Sequence, residues 1–205
     1  MIAIIDYGVG NLFSLRSSLK YIGQNAVVTR DAAEIRRADR VILPGVGAFE
    51  DAAAKLRETG MFAVVKDEAA SGKPLLGICL GMQMLLDRSF EYGEHAGLAL
   101  VPGDVTTIAP VIGDGYKIPH IGWNGLRFPA GREKSPLFKY TDEGAHVYFV
   151  HSFYASSCDE SVIATTEYGG ELTAAVARDN VYGTQFHPEK SGDVGLDILR
   201  AFCEI

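Results

Sequence analysis

The sequence predicts an α/β fold: a three-layer, open and mostly parallel sheet with helices on both faces, joined by antiparallel strands in the C-terminal half. Three observations predict it. Short, β-branched-rich apolar runs recur through the N-terminal part of the chain, as strands covered on both faces should. They alternate with amphipathic helical patterns, which is the signature of a parallel sheet wound with helices. After about Gly97 the pattern changes to closely spaced strand candidates separated by turn residues, the mark of antiparallel or mixed pairing.

The strand candidates in the first part are 2–6 (IAIID), 26–30 (AVVTR), 39–44 (DRVILP) and 74–78 (PLLGI). A helix is expected from Asn11, a good N-cap, with Leu12, Leu15, Leu19 and Ile22 near helical spacing and Gly23 placed to end it. Ala48–Glu58, Met61–Ala70 and Leu80–Asp87 read as helices in the same way. The later strand candidates are GLALVPGDVTTIA, GWNGLRF, HVYFVHSFYA, SVIATTEY, LTAAVAR and NVYGTQFH, and a closing helix follows over Gly192–Cys203 with Ser191 as its N-cap. In such a fold, ligands bind beyond the carboxyl ends of the strands, so functional residues are expected just after them.

Nothing in the 205 residues reads as a linker, so a single domain over 1–205 is expected. The net charge of -7 keeps the protein in solution and repels polyanions, which argues against nucleic acid as a partner. The start, MIAIIDY, is a strand pattern without the basic region of a secretory signal, and no apolar stretch is long enough to span a bilayer. A soluble cytoplasmic protein is the expectation. The three cysteines, Cys79, Cys158 and Cys203, lack any C-x-x-C pairing, and the five histidines lack H-E-x-x-H spacing, so no disulfide framework or metal site is expected.

The sharpest local feature is Gly77-Ile78-Cys79-Leu80-Gly81, between an apolar strand and an amphipathic helix. It matches the G-x-S-x-G nucleophile elbow with cysteine in place of serine. A tight strand-to-helix turn lifts the nucleophile clear of the sheet, and the helix start offers free N–H groups and a positive dipole end to a developing anion. An isolated cysteine is more often a small buried hydrophobe, which is how Cys158 and Cys203 are read. The flanking glycines set Cys79 apart. Its partner is offered by His187-Pro188-Glu189 at the end of a β-type run, where strand alternation would point His187 and Glu189 to one side. Nucleophile, base and orienting acid make the triad used in acyl transfer. Pro44-Gly45-Val46-Gly47, after the third strand, could turn an N–H toward the same site and, with the N–H of Leu80, form a two-donor oxyanion hole. Gly8-Val9-Gly10 opens like a dinucleotide fingerprint, but Phe13 stands where the third glycine belongs, so nucleotide binding is rejected.

PGVG at 44–47, GICLGMQ at 77–83 and FHPEKS at 186–191 together resemble, in this order, the class I or triad glutamine amidotransferases. More narrowly, DYGVGNL at 6–12, IGWN at 121–124 and YFVHSFY at 148–154 are similar to the glutaminase subunits of imidazole glycerol phosphate synthases, and the resemblance covers essentially the whole chain. It implies that Cys79 attacks the side-chain amide of glutamine to give a glutamyl thioester and ammonia, with His187 shuttling protons and Glu189 orienting it. It places Gly47, Gln83, Glu91, Ser152 and Phe153 around the glutamine, with Glu91 accepting from the α-ammonium group, and gives the oxyanion hole to Val46, Gly47 and Leu80. No cofactor and no metal are implied. The implied partner is a (β/α)8-barrel cyclase subunit, HisF, in a heterodimer. It takes the ammonia through an internal channel and converts PRFAR to imidazole glycerol phosphate and AICAR in histidine biosynthesis. Asn11, Trp123, Tyr148 and Lys190 would lie toward it, with core packing beside Ile121 and Leu126 as the alternative for Trp123. The triad alone does not separate this subunit from the glutaminases of anthranilate, aminodeoxychorismate or pyridoxal phosphate synthases; DYGVGNL and IGWN favour the histidine pathway. A cysteine peptidase sharing the elbow, and a non-catalytic module that only senses a ligand, are the more distant alternatives.

Overall fold

The structure, a computed structural model, describes residues 1–205. Its strands are β1 (Ile2–Ile5), β2 (Ala26–Thr29), β3 (Arg40–Gly45), β4 (Leu75–Cys79), β5 (Arg88–Ser89), β6 (His95–Ala96), β7 (Asp104–Thr107), β8 (His120–Arg127), β9 (His146–His151), β10 (Phe153–Ser156), β11 (Val162–Glu167), β12 (Glu171–Arg178) and β13 (Val181–Thr184). The helices are α1 (Leu12–Tyr21), α2 (Ala32–Arg37), α3 (Phe49–Glu58), α4 (Met61–Ala70), α5 (Leu80–Met84), α6 (Ala109–Ile112) and α7 (Gly192–Glu204).

One sheet of nine strands runs β2-β1-β3-β4-β13-β12-β11-β8-β9. The strands from β2 to β13 pair in parallel, and from β13 outward every pairing is antiparallel. The mixed character expected of the C-terminal half therefore arises because the last strand, β13, returns to pair beside β4. A small second sheet, β10-β7-β5-β6, covers one end.

The apolar runs serve two cores at once, because successive side chains leave a strand on opposite faces. Ala3, Ile5, Val41, Leu43 and Leu75 enter one core with α3 and α4, whereas Ile2, Ile4, Ile42, Leu76 and Ile78 enter the other with α1 and α7. Each fully buried Leu or Ile contributes on the order of 1.5–3 kcal/mol, so this double burial accounts for runs with no polar alternation.

Several elements differ from the sequence expectation, among them the short strands β5 and β6, the helix α6, and α5 and α2. The helix expected to reach Asp87 stops at Met84. The Leu85 and Leu86 N–H groups donate only three residues back, to the Met82 and Gln83 carbonyls, and the Asp87 N–H donates to the Gly103 carbonyl at 3.0 Å, so the helical ladder is not continued. The short helix α2 carries no long periodic pattern; it is started by Asp31, whose carboxylate accepts from the Ala33 N–H at 2.8 Å. No helix is long and apolar enough to cross a membrane.

Candidate active site

The site is built at the carboxyl ends of β3, β4 and β13, where a parallel sheet leaves a crevice. Cys79 ends β4 with φ 55 and ψ -112, a strained conformation for a residue with a side chain. The glycines around it explain how that turn packs. A Cβ on Gly77 would lie 2.7 Å from the Gly81 carbonyl oxygen, one on Gly81 would lie 1.9 Å from that of Leu43, and one on Gly45 would lie 2.6 Å from the Gly81 N. The elbow and the end of β3 touch backbone to backbone, so three positions exclude any side chain. Because α5 has only five residues, its dipole assists Cys79 less than the longer helix expected from the sequence.

His187 and Glu189 come together as expected, but not by strand alternation. β13 ends at Thr184, and a single 3-10 turn over Pro188–Lys190 brings the carboxylate back to the ring. His187 Nδ1 and Glu189 Oε1 are 2.8 Å apart, with both side chains 3% exposed. Ser191 fixes this turn: its hydroxyl donates to the His187 carbonyl at 2.6 Å and accepts from the Tyr148 N–H at 3.0 Å, so it does not cap α7 with its side chain. The His187 N–H donates to the Tyr148 carbonyl at 3.0 Å, which ties the turn to β9.

Burial alone would push the His187 imidazole down, but hydrogen bonding and charge from Cys79 and Glu189 overcome it and raise the group to about 9. At Cys158 and Cys203 burial pushes the thiol up, to about 11. Cys158 lines grooves that hold no histidine.

A crevice of about 310 Å³ is lined by Val46, Gly47, Cys79, Leu80, Gln83, Glu91, Ser152, Phe153 and His187. That is the lower end of the size range of small-molecule sites, roughly 300–1,000 Å³. Glu91 Oε2 accepts from the Phe49 N–H at 2.7 Å, anchoring the carboxylate at the start of α3 beside the crevice. Asn11 lies beyond, in a narrow gap shared with His187 and Glu189, where Glu189 Oε2 is buried without a hydrogen-bond partner. Trp123, Tyr148 and Lys190 form a separate outward-facing stack: the Trp123 and Tyr148 ring centroids are 5.9 Å apart, and Lys190 Nζ lies 5.8 Å from the Tyr148 ring. Trp123 is 53% exposed, so the core-packing alternative does not describe it. No group of three or more His, Cys, Asp and Glu side chains is arranged to hold a metal ion.

Three further residues belong to the neighbourhood and were not singled out from sequence. Gln185, fully buried, places Nε2 3.8 Å from Cys79 Sγ, and its Oε1 accepts from Gln83 Nε2 at 3.0 Å. Tyr7 donates to the Pro44 carbonyl at 2.8 Å, fastening the loop after β1 to the end of β3. His151 lines the crevice beside Ser152. Gln185 and His151 sit inside the motifs TQFHPE and YFVHSFY, and polar residues flanking a motif on an apolar strand are the only available signal.

Comparison with known proteins identifies the family. Residues 3–204 match the family glutamine amidotransferase class-I. The chain is 49% identical over 207 residues to the imidazole glycerol phosphate synthase subunit HisH of Wolinella succinogenes, covering 100% of both chains. It is 50% identical over 202 residues to the HisH subunit of Bacillus cereus, covering 98% of this chain and 93% of that one. It is likewise 50% identical over 208 residues to that of Geobacillus thermodenitrificans, covering 100% and 96%. Among solved structures, a glutamine amidotransferase crystal structure superposes with a TM-score of 0.76 at 21% identity, covering 100% of this chain and 98% of that one. The structure of PurLQS from Thermotoga maritima superposes with a TM-score of 0.74 at 20% identity, covering 99% and 97%. These two speak to the fold. The chain belongs to the class I glutamine amidotransferase family and, within it, to the HisH glutaminase subunits of imidazole glycerol phosphate synthase.

Proposed function

We propose that Cys79, His187 and Glu189 hydrolyse glutamine within one glutaminase domain spanning 1–205, and that the ammonia passes to a (β/α)8-barrel cyclase subunit, HisF. The observation that carries this reading is one crevice shared by Cys79 and His187, with Glu189 buried behind the imidazole at 2.8 Å. The sulfur attacks the glutamine amide carbon while His187 returns a proton to the leaving nitrogen. This gives ammonia and a glutamyl thioester. Water, deprotonated by His187, then attacks the thioester and releases glutamate, restoring the thiol. Glu189 holds the ring with Nδ1–H inward, leaving Nε2 for the sulfur. Val46, Gly47 and Leu80 line the same side of the crevice, where backbone N–H groups would meet the oxyanion. Gly47, Gln83, Glu91, Ser152 and Phe153 surround the substrate, with Glu91 receiving its α-ammonium group.

Free ammonia in neutral water is almost wholly ammonium and no longer nucleophilic, which is the reason to couple hydrolysis to a docked synthase. The exposed Trp123–Tyr148–Lys190 stack and Asn11 supply the contact surface in this reading. The chain alone is therefore expected to be a weak glutaminase that the ligand-loaded cyclase activates. The test measures glutamate release with and without purified cyclase and its ligand, for the native chain and Cys79→Ala. Cys79→Ala should release none, and labelling of Cys79 by diazo-oxo-norleucine should require the native thiol. Full activity of the native chain alone would refute the coupling.

A further inference from the structure

A second pair of imidazoles, of which His151 lines the crevice and His120 lies deeper, takes no part in the proposed chemistry. His120 on β8 and His151 on β9 are cross-strand neighbours, exposed by 0% and 6%. The His120 ring is stacked between Phe149, with centroids 5.0 Å apart, and Tyr168, with centroids 3.9 Å apart. A continuous line of polar contacts runs through both rings. Asn124 Oδ1 is 2.8 Å from His120 Nε2, His120 Nδ1 is 3.0 Å from His151 Nε2, and His151 Nδ1 is 2.9 Å from the Phe153 carbonyl oxygen. The Phe153 oxygen also accepts from Gln83 Nε2 at 3.0 Å, and Gln83 leads through Gln185 to Cys79.

Counting protons along this line shows a conflict. With Asn124 Oδ1 at one end and the Phe153 oxygen at the other, three contacts lie between two acceptors, so three protons are required. Two neutral rings supply two. Burial holds both rings toward the neutral form, His151 at about 4. One end must therefore change, and the Phe153 carbonyl has no donor to offer. The Asn124 amide can turn over. Its Nδ2 then donates to His120 Nε2 and gives up the 2.8 Å bond it makes to the Glu167 carbonyl; the two oxygens left facing each other are exposed and can move apart to take water, which the buried ring contacts cannot do. Both rings are then Nδ1–H tautomers, and every contact from Asn124 to Phe153 has one proton and one acceptor.

We propose that His120 and His151 are positioning residues for glutamine, both carrying their proton on Nδ1 and together holding the Phe153 carbonyl, with Asn124 donating at the far end of the line. The proposal deepens the glutamine-binding reading of the crevice and rests on it. The line ends at Asn124, one residue from the exposed Trp123, so a chain bound at β8 that captures the Asn124 amide reaches the substrate crevice through hydrogen bonds.

Long-range nitrogen-15 spectra of the full chain labelled in histidine test the tautomers at neutral pH. Both rings should report a protonated Nδ1 and an unprotonated Nε2. A protonated Nε2 with a bare Nδ1 on either ring overturns the proposal. Glutamine kinetics of the assembled enzyme test the consequence with His151→Phe, which keeps an aromatic ring against Phe149 and removes both nitrogens. Loss of one hydrogen bond to the Phe153 carbonyl should raise KM about three- to tenfold and leave kcat within about twofold. An unchanged KM overturns the positioning role, whereas a packing role alone is preserved by phenylalanine. If His151→Phe does not fold, the native spectrum still decides. Native enzyme that releases no glutamate refutes the glutamine reading instead, and the spectra separate the two failures.

Discussion

Replacing Glu189 by glutamine removes one charge and keeps the shape, which makes it the sharpest probe of the triad. The imidazole of His187 stands at about 9 against an ordinary 6.5, with burial opposing the rise and Cys79 and Glu189 producing it. At ~1.4 kcal/mol per pKa unit that rise corresponds to about 3 kcal/mol, and because burial opposes it Cys79 and Glu189 together supply more than that. Little screening reduces it, since both side chains are 3% exposed. The amide then faces a choice set by the surroundings of Oε2, which is buried without a partner. With its oxygen toward Nδ1–H, the new NH2 group sits where no acceptor lies. With its nitrogen toward Nδ1, the imidazole proton moves to Nε2, and the base no longer faces the sulfur. The lost charge alone lowers kcat roughly tenfold, and the wrong tautomer brings the loss to about 10²- to 10⁴-fold. Glutamate release by the assembled complex measures this, with KM for glutamine expected within about threefold because Glu189 does not line the substrate crevice. A folded Glu189→Gln enzyme with kcat within about threefold of native would refute the role given to the carboxylate.

The same pair has a signature in stability. A histidine raised in the folded state stabilises fully below its unfolded value of 6.5 and loses that contribution as pH rises through about 9, so urea titrations should show the Glu189→Gln penalty shrinking across that window. Gly81→Ala should cost more than about 3 kcal/mol, read as loss of soluble protein or a lower urea midpoint, because the new Cβ would stand 1.9 Å from the rigid Leu43 carbonyl oxygen. Lys73 pairs with the buried Glu68 and donates at 3.0 Å to the Ile35 and Arg36 carbonyls that end α2. Lys73→Met should cost about 3–5 kcal/mol in thermal unfolding, and adding Glu68→Leu should recover much of it, since the unpaired buried carboxylate is what destabilises.

β1, β3 and β4 were legible because burial on both faces keeps them apolar, and the half-buried edge strand β2 by its β-branched run: 2–6, 26–30, 39–44 and 74–78 match β1 to β4 within a residue or two. The elbow was legible for a related reason, since Gly77 and Gly81 are demanded by backbone contacts that no other residue permits. What could not be read depends on partners distant in sequence. The helix after Cys79 is cut short where the Asp87 N–H turns to the Gly103 carbonyl, and Gln185 comes beside Gln83 and Cys79 only in the folded chain. The His187–Glu189 pairing was foreseen from alternation, yet a turn and the Ser191 hydroxyl produce it, so the right contact was reached through the wrong local geometry.

The glycines also mark where the site is rigid and where it is free. Gly45 is wedged against the elbow, with a Cβ there meeting the Gly81 N at 2.6 Å, while Gly47 has a φ of 93 and open space where its Cβ would be. Val46 lies between them. Its carboxyl-side neighbour has open space on its Cβ side, and its amino-side neighbour is packed against the backbone of the elbow that carries Cys79. A peptide placed at such a boundary can change the direction of its N–H while Cys79 stays fixed. If the Val46 N–H is the oxyanion donor of the proposed mechanism, this contrast leaves the nucleophile fixed by the fold of the chain itself and the donor open to being aimed by a partner docked over residues 46 and 47. A rigid donor would couple hydrolysis to glutamine alone; a free one allows the synthase to set the timing.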